Sequence, residues 1–371
     1  MEDREIYIHI PFCVKKCDYC DFLSFTSDDA TKRTYVDALK REIRADFDRS
    51  VKICSVFIGG GTPSILDGDM IKEILDTVRE GFELTPDCEI TIECNPGTLD
   101  QNKAKIYKAC GINRISLGLQ ACDVLVLKSI GRIHTFADFL KSYELVRELG
   151  FDNINVDLMS ALPGQDLDAY LAGLKKVISL EPEHISAYSL ILEDGTKMGD
   201  HIENYKKLPD EEEERQMYHK TIELMREYGY DRYEISNYCK PGYECRHNIG
   251  YWTMREYYGF GLGASGFIGG KRSKNTDSME AYLKGELKKW EQETREDLME
   301  EFVFLGLRMC KGISLSKFKA FFGQDCDKIY KDVIDKHIAG GLLEKKGDRL
   351  ALTEKGMDLS NLVMSDFIIT V

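Results

Sequence analysis

Three cysteines fall in one short window, Cys13, Cys17 and Cys20, with the spacing C-x3-C-x2-C. Three thiolates on one loop can hold three irons of a 4Fe-4S cubane and leave the fourth iron open. An all-cysteine zinc site would need a fourth ligand at matching spacing, and none is supplied. An electron-transfer ferredoxin closes all four irons with cysteine. An open iron is what a cluster needs if it is to bind a small molecule. The chain has twelve cysteines in all. The others, from Cys54 to Cys326, are scattered through strand and helix patterns and read as small apolar core residues.

A second feature follows the second strand-like run. Cys54–Ile58 leads into Gly59-Gly60-Gly61-Thr62-Pro63, and glycines let a backbone approach a ligand with no Cβ between. Later strands also end in polar residues: Glu93-Cys94-Asn95, Ser116 to Gln120, and Asn155-Val156-Asp157, with Arg132 in Gly131-Arg132-Ile133-His134. Each has a bland reading as a cap or surface polar group. Together they form a ring at the carboxyl ends of strands, where ligands sit in barrels of this type.

These residues need a scaffold. Strand-like runs at Glu5–Ile10, Cys54–Ile58, Glu89–Glu93, Arg114–Leu117, Asn153–Leu158 and His184–Tyr188 alternate with helical patterns such as Arg33–Phe47, Asp69–Arg79, Phe136–Leu149 and Leu167–Leu180. Strands separated by helices of this length pair in parallel. Six units predict an α/β fold with an open, partial (β/α)6 barrel over residues 1–235. An acidic helix from Asp210 to Glu227 reads as a solvated face. Residues 236–294 form an extension, rich in Gly, Tyr and Asn up to 275. Residues 295–371 change character: amphipathic Ile313–Phe322 and Asp327–Ala339, then a hairpin turning at Lys346-Gly347-Asp348, predict a C-terminal winged-helix-like α+β domain. That domain is only slightly basic and its second helix mixes signs, so partner docking fits it better than DNA.

Charged residues make up 31% of the 371, hydrophobic ones 43%, and the formal net charge is −14. The composition is that of a soluble globular protein. The negative charge disfavours unspecific attraction to nucleic acid or an anionic membrane. The amino terminus, Met1-Glu2-Asp3-Arg4-Glu5, is charged and runs straight into a strand, with no signal peptide. The expected location is the cytoplasm, with thiols reduced.

C-x3-C-x2-C after a first strand, with Tyr19 just before the third cysteine, resembles the radical-SAM superfamily. The resemblance implies that the open iron takes the amino and carboxylate groups of S-adenosylmethionine (SAM), and that the cluster can pass one electron to the sulfonium. Longer stretches are similar to the HemN/HemW family of coproporphyrinogen dehydrogenase-like proteins: Tyr-Ile-His-Ile-Pro-Phe-Cys (7–13), Gly-Gly-Gly-Thr-Pro-Ser (59–64), Ile-Glu-Cys-Asn-Pro (92–96), Ser-Leu-Gly-Leu-Gln (116–120) and Asp-Leu-Met-Ser-Ala-Leu-Pro-Gly (157–164). By this resemblance Tyr7, Gly60 and Glu93 contact the cluster-bound SAM. Tyr19, Gly61, Thr62, Gln120, Arg132 and Asp157 fall where decarboxylating members hold a second SAM.

Decarboxylating members carry a further cysteine two residues after the third, where this chain has Phe22, and a long extension before the first strand. Conversely, His247-Asn248-Ile249-Gly250-Tyr251-Trp252 resembles the H-N-x-x-Y-W motif of the heme-chaperone branch. An imidazole can ligate heme iron, and Tyr251 and Trp252 offer flat faces to a porphyrin. The alternative is a buried His–Asn pair with two core aromatics, and Cys245 is a rival ligand. The resemblance thus implies a chaperone that binds cluster, SAM and heme and delivers heme to acceptor proteins, some of them at a membrane. A tetrapyrrole-modifying enzyme, such as an oxygen-independent coproporphyrinogen III dehydrogenase, is the second reading. A zinc-containing scaffold is the third.

Overall fold

The computed structural model describes residues 3–286 and 288–368. Met1 and Glu2 of the charged amino-terminal run, Leu287 of the extension and residues 369–371 of the C-terminal segment lie outside the described residues.

Six parallel strands run in chain order: β1 (Arg4–Ile10), β2 (Lys52–Gly60), β3 (Glu83–Cys94), β4 (Arg114–Gln120), β5 (Ile154–Ser160) and β6 (His184–Ser189). Between them lie α1 (Asp29–Ala45), α2 (Gly68–Gly81), α3 (Gln101–Ala109), α4 (Val124–Ser129), α5 (Phe136–Glu148) and α6 (Leu167–Ile178). This is the expected (β/α)6 arrangement. Strand alternation explains it. Ile6, Ile8 and Ile10 of β1, Ile90 and Ile92 of β3, and Ile115, Leu117 and Leu119 of β4 are buried in the main apolar core. The alternate positions, among them Glu5, Glu89, Glu93, Arg114, Ser116, Asn155 and Asp157, carry polar groups to the opposite face of the sheet. The polar interior of the barrel is therefore written into every second strand residue. The helices are closed by side-chain caps. Asp100, Asp123, Thr135 and Asp166 each accept from an amide of the first turn of α3, α4, α5 and α6, an interaction worth about 1 kcal/mol each.

The sheet continues past both edges of the barrel. Beyond β6 the chain passes through α7 (Lys197–Asp200) and the acidic helix α8 (Glu211–Glu227), whose cap is Asp210. Antiparallel β7 (Asp231–Arg232) and β8 (Asn237–Cys239) then pair beside β6. The short helix α9 (Arg246–Trp252) follows, and β9 (Tyr257–Phe260) pairs in parallel with β1. From there β10 (Ser265–Ile268), β11 (Lys271–Lys274) and, after α10 (Met279–Leu283), β12 (Lys289–Gln292) extend that edge. The Gly- and Tyr-rich region expected as loops with short strands thus supplies both flanks of one sheet of twelve strands.

The C-terminal part has its own core around Phe302, Phe318, Ile334, Leu343 and Leu350. It contains α11 (Arg295–Leu307), β13 (Ile313–Ser314), α12 (Leu315–Phe322), α13 (Cys326–Ile329), α14 (Lys331–Ala339), β14 (Leu343–Lys346) and β15 (Arg349–Leu352). This is the helix–helix–hairpin order of a winged helix. Two expected helices differ, one in its start and one in its continuity. Ile313–Ser314 pair with β15, and Ser314 caps α12 instead of joining it. The helix expected from Asp327 breaks at Tyr330, whose backbone leaves the helical region while its ring packs against Phe318 and Phe367. No described helix is long and apolar enough to cross a membrane.

Candidate functional site

The cysteine loop is closed at its base. Phe12 and Phe25 bridge, the Cys13 amide donates to the Phe25 carbonyl at 3.0 Å, and the Phe25 amide donates to the Pro11 carbonyl at 3.0 Å. Farther along, the Asp18 amide donates to the Ile130 carbonyl at 3.1 Å, and the Asp18 carboxylate accepts from Lys197 Nζ and Tyr205 Oη, each at 2.8 Å. Asp18 therefore ties the loop to the segments after β4 and β6. Sequence reasoning passed over it; its one signal is a charge between two of the cysteines.

The loop roofs a cleft of about 360 Å³ at the carboxyl ends of the strands. Cys13, Cys17, Cys20, Tyr19, Gly60, Gly61, Thr62, Glu93, Gln120, Arg132 and Asp157 all line it. Tyr7 does not. It lies deeper, its hydroxyl 2.9 Å from His9 Nδ1 and its ring against Phe57. Among the described residues, no three His, Cys, Asp or Glu side chains converge where a single ion could be held. A cubane makes a different demand, one thiolate for each of three separate irons. Three cysteines on one anchored loop, facing the cleft, fit that group; a fourth cysteine of the lining, Cys94, stands apart from the loop at the end of β3. Burial raises the Cys20 thiol to about 11, against the Phe22 backbone, so iron must draw the proton off.

The glycine turn is held against β1. The Gly61 amide donates to the Ile10 carbonyl at 2.9 Å and the Thr62 amide to the Phe12 carbonyl at 2.8 Å. A Cβ on Gly60 would stand 2.5 Å from the His9 ring, and φ there is +109°, which side-chain-bearing residues avoid. The Gly60 amide donates to Glu93 Oε2 at 3.1 Å. Burial, and next the charge of Asp157, raise the Glu93 carboxyl to about 8. A buried acid with one hydrogen bond and a cleft in front of it suits a cationic amino group.

On the far wall, Arg132 donates to Asn95 Oδ1 at 2.8 Å and to Tyr19 Oη at 2.9 Å. Asn95 in turn donates to Thr62 Oγ1 at 2.8 Å. One guanidinium thus joins the cysteine loop, the glycine turn and the end of β3. Gln120 sits at φ +70°, a conformation that ends β4 and turns its amide into the cleft. Asp157 accepts from Asn155 Nδ2 at 2.7 Å and from Ser116 Oγ at 3.3 Å. Asn95 and Ser116 were legible only as polar strand ends. Met159 and Tyr188 also line the cleft and carried no sequence signal beyond a place late in a strand.

The motif at 247–252 is elsewhere. It forms α9, which plugs the opposite, amino-terminal end of the barrel. Glu89 accepts from the amides of Arg246 at 3.1 Å and His247 at 3.2 Å, a carboxylate against a helix amino terminus. His247 is 1% exposed. Its Nδ1 lies 2.8 Å from Ser55 Oγ and its Nε2 3.0 Å from Tyr251 Oη. Burial, then the charges of Arg114 and Arg255, lower its pKa to about 3. Gly250 passes directly over the Glu5 carboxyl, where any Cβ would collide. Cys245 is fully buried and its thiol is raised to about 12 by that burial. Asn248 is half-buried on the same turn. Trp252 lines a cleft beside the C-terminal domain, and Tyr251, bonded to His247, lines it too.

The comparisons with known proteins decide the family. Residues 7–174 match the radical SAM superfamily and residues 294–359 the HemN C-terminal domain. The chain is 37% identical to a heme chaperone HemW from Lactococcus lactis subsp. lactis (strain IL1403), with 98% of this chain and 97% of that protein covered. It is 36% identical to a heme chaperone HemW from Bacillus subtilis (strain 168), over 98% and 99%. The chain belongs to the HemW family of radical SAM proteins. A cluster and SAM are what this family implies, and the cleft accommodates the residues for both. The coproporphyrinogen III oxidase HemN of Escherichia coli has the same fold, with a TM-score of 0.87 and 22% identity over 100% of this chain and 91% of that one. This chain and that HemN thus share one fold.

Proposed function

We propose that this chain is a heme chaperone. It holds a 4Fe-4S cluster on Cys13, Cys17 and Cys20, takes SAM in the cleft beneath, carries heme, and passes heme to proteins that require it, including acceptors at a membrane surface that it meets as a peripheral partner. Near-full-length similarity to proteins named heme chaperones carries the reading. Phe22 supports it: the position where the decarboxylating branch has a cysteine holds an apolar ring, 60% exposed at the cleft mouth.

In this reading Gly60 and Glu93 meet the amino group of SAM, with Tyr7 supporting them from below. Arg132, Tyr19, Gly61, Thr62, Gln120 and Asp157 form the wall that receives the rest of the ligand. When bound, the cluster supplies one electron at low potential. The chain's own work is to position: Arg132 locks Tyr19 and Asn95, and Asp18 fastens the loop. The resemblance to the H-N-x-x-Y-W motif implies heme near α9, Asn248 included. His247 can reach iron only if its bond to Ser55 or to Tyr251 is given up, whereas Tyr251 and Trp252 already line a cleft.

The second reading, decarboxylation of coproporphyrinogen III, is favoured by one observation, a SAM cleft on a HemN-like fold. The two are separated in parallel anaerobic incubations of the reconstituted protein. One contains coproporphyrinogen III, SAM and reductant; the other contains heme. Saturable heme binding with no protoporphyrinogen is the expected pair of results. Decarboxylation at a rate matching a genuine dehydrogenase would replace the proposal with the second reading.

A further inference from the structure

A second cleft lies apart from the SAM cleft. A cavity of about 540 Å³ lies between the β10–β11 edge of the sheet and helices α11 and α12 of the C-terminal domain. That is the size of a small-molecule site. Its wall is aromatic and aliphatic: Phe267, Phe302, Phe321, Phe322, Leu298 and Met254. Phe321 is 59% exposed at one side of it. An adjoining cleft shares Met254 and Phe267 and is lined by Tyr251 and Trp252. The Trp252 indole nitrogen is buried without a hydrogen-bond partner.

Met254 joins the two clefts and is held at φ +56°. It is the left-handed residue that closes α9, a common helix ending. The surrounding bonds enforce it: the Met254 amide donates to Tyr251 at 3.2 Å and the Arg255 amide to Gly250 at 2.9 Å. The result turns a thioether toward the shared space. A thioether is one of the axial ligands of heme iron. The polar part of the wall is Asp3, Arg4 and Glu256. Arg4 donates through Nε to Glu256 and through Nη1 to Tyr258, and among the described residues its Nη2 has no hydrogen-bond partner.

We propose that this interdomain cleft is the tetrapyrrole site: the flat macrocycle lies between Phe267 and the phenylalanines of α11 and α12, Met254 ligates the iron, and the propionates leave at the Arg4 rim. The proposal rests on the heme-chaperone reading and adds where the cargo sits. It also gives the C-terminal domain a role, since that domain supplies one wall, and it leaves His247 in place as the barrel plug.

The test is a titration of ferric heme into the reconstituted full chain and into the variants Met254→Leu, Leu298→Trp and His247→Gln. Met254→Leu keeps volume and apolarity and removes the sulfur. Leu298→Trp fills the cleft from a half-buried position. The wild type is expected to bind one heme with the near-infrared charge-transfer band of an iron–thioether bond. Met254→Leu should lose that band, Leu298→Trp should bind at least tenfold more weakly, and His247→Gln should keep the wild-type spectrum. Saturable binding by the wild type with unchanged spectrum and affinity in Met254→Leu and Leu298→Trp would overturn the cleft while sparing the chaperone reading. Loss of the axial-ligand band only in His247→Gln would return the iron to α9 and overturn the cleft as well. A change in sedimentation of Leu298→Trp with unaltered heme affinity would assign the cleft to a second copy of the chain. Absence of saturable binding in the wild type would remove the reading and the cleft together.

Discussion

Glu93 is the residue where the chemistry of the SAM cleft is most exposed to experiment. Its carboxyl is raised to about 8 by burial and by Asp157, and held down in part by the Gly60 amide and the charges of Arg114 and Arg132. A cationic amino group favours the ionised form, so a proton on Glu93 competes with the ligand. SAM affinity should therefore fall as pH drops below about 8, and Glu93→Gln should bind more weakly with a flatter pH profile while retaining the cluster spectrum. Isothermal titration at pH 6.5 and 8.5 checks both; equal pH dependence in the variant would detach SAM from Glu93. Gly60→Val is expected to abolish SAM binding, because the new Cβ meets the His9 ring in a backbone conformation valine avoids. The cysteines and the glycine turn were readable because each is a local string with one chemical use. Asp18 and Asn95 were not, because their roles are partnerships with Lys197, Tyr205, Arg132 and Thr62, residues that only the folded barrel brings within reach.

At the scale of elements, α9 shows how a motif can be legible while its place is not. His247, Gly250 and Tyr251 lie on one side of a short helix that fits over Glu5, Ser55 and Glu89, positions contributed by β1, β2 and β3. Nothing in residues 247–252 reveals those partners. His247 is neutral there, and Glu5, 3.7 Å from its Nδ1 and raised to about 8 mainly by burial, is largely protonated at neutral pH. The folded pKa of His247, about 3, lies below its ordinary 6.5. Its contribution to stability is thus complete above 6.5 and is lost as pH falls toward 3. Glu5 has the opposite sign: its folded pKa lies above the ordinary 4.5, so its contribution is lost as pH rises through about 8. His247→Ala should cost about 3 kcal/mol at pH 7, through a buried cavity and the unpaired Ser55 and Tyr251 hydroxyls. Urea unfolding at pH 7 and pH 5 measures it, and the gap between wild type and variant should narrow at the lower pH. A gap that widens would mean that His247 is charged in the fold.

For the whole molecule, strands alternating with helices were enough to foresee the six parallel strands, because each outward face is a run of Ile, Leu or Val. The flanking strands were not foreseen as one sheet. β9 pairs with β1 across most of the sequence, and such closure leaves no mark in a local window. That closure sets β11 against the C-terminal domain, where Arg272 pairs with Glu301 at 2.6 Å, and the opposite flank of the sheet is tied to that domain as well. The Cys310 amide donates to the Tyr233 carbonyl at 3.0 Å, and Arg215 pairs with Asp358 at 2.5 Å. Cluster, SAM cleft, plug and interdomain cleft thus lie on one connected frame. At this scale the account expects no decarboxylation of coproporphyrinogen III, even with cluster and SAM in place. Anaerobic product analysis against a dehydrogenase control reads this directly.

The chain is expected to carry heme in order to give it up, and one measurement reaches this directly. The reconstituted protein, loaded with one heme, is mixed with an excess of an apo heme protein, with the two separated by a tag, and the heme on each is followed by its absorption over time. The account requires heme to leave this chain and appear in the acceptor faster than the same heme released from serum albumin as a passive carrier. Retention of heme on the chain, or transfer no faster than from the passive carrier, would contradict it.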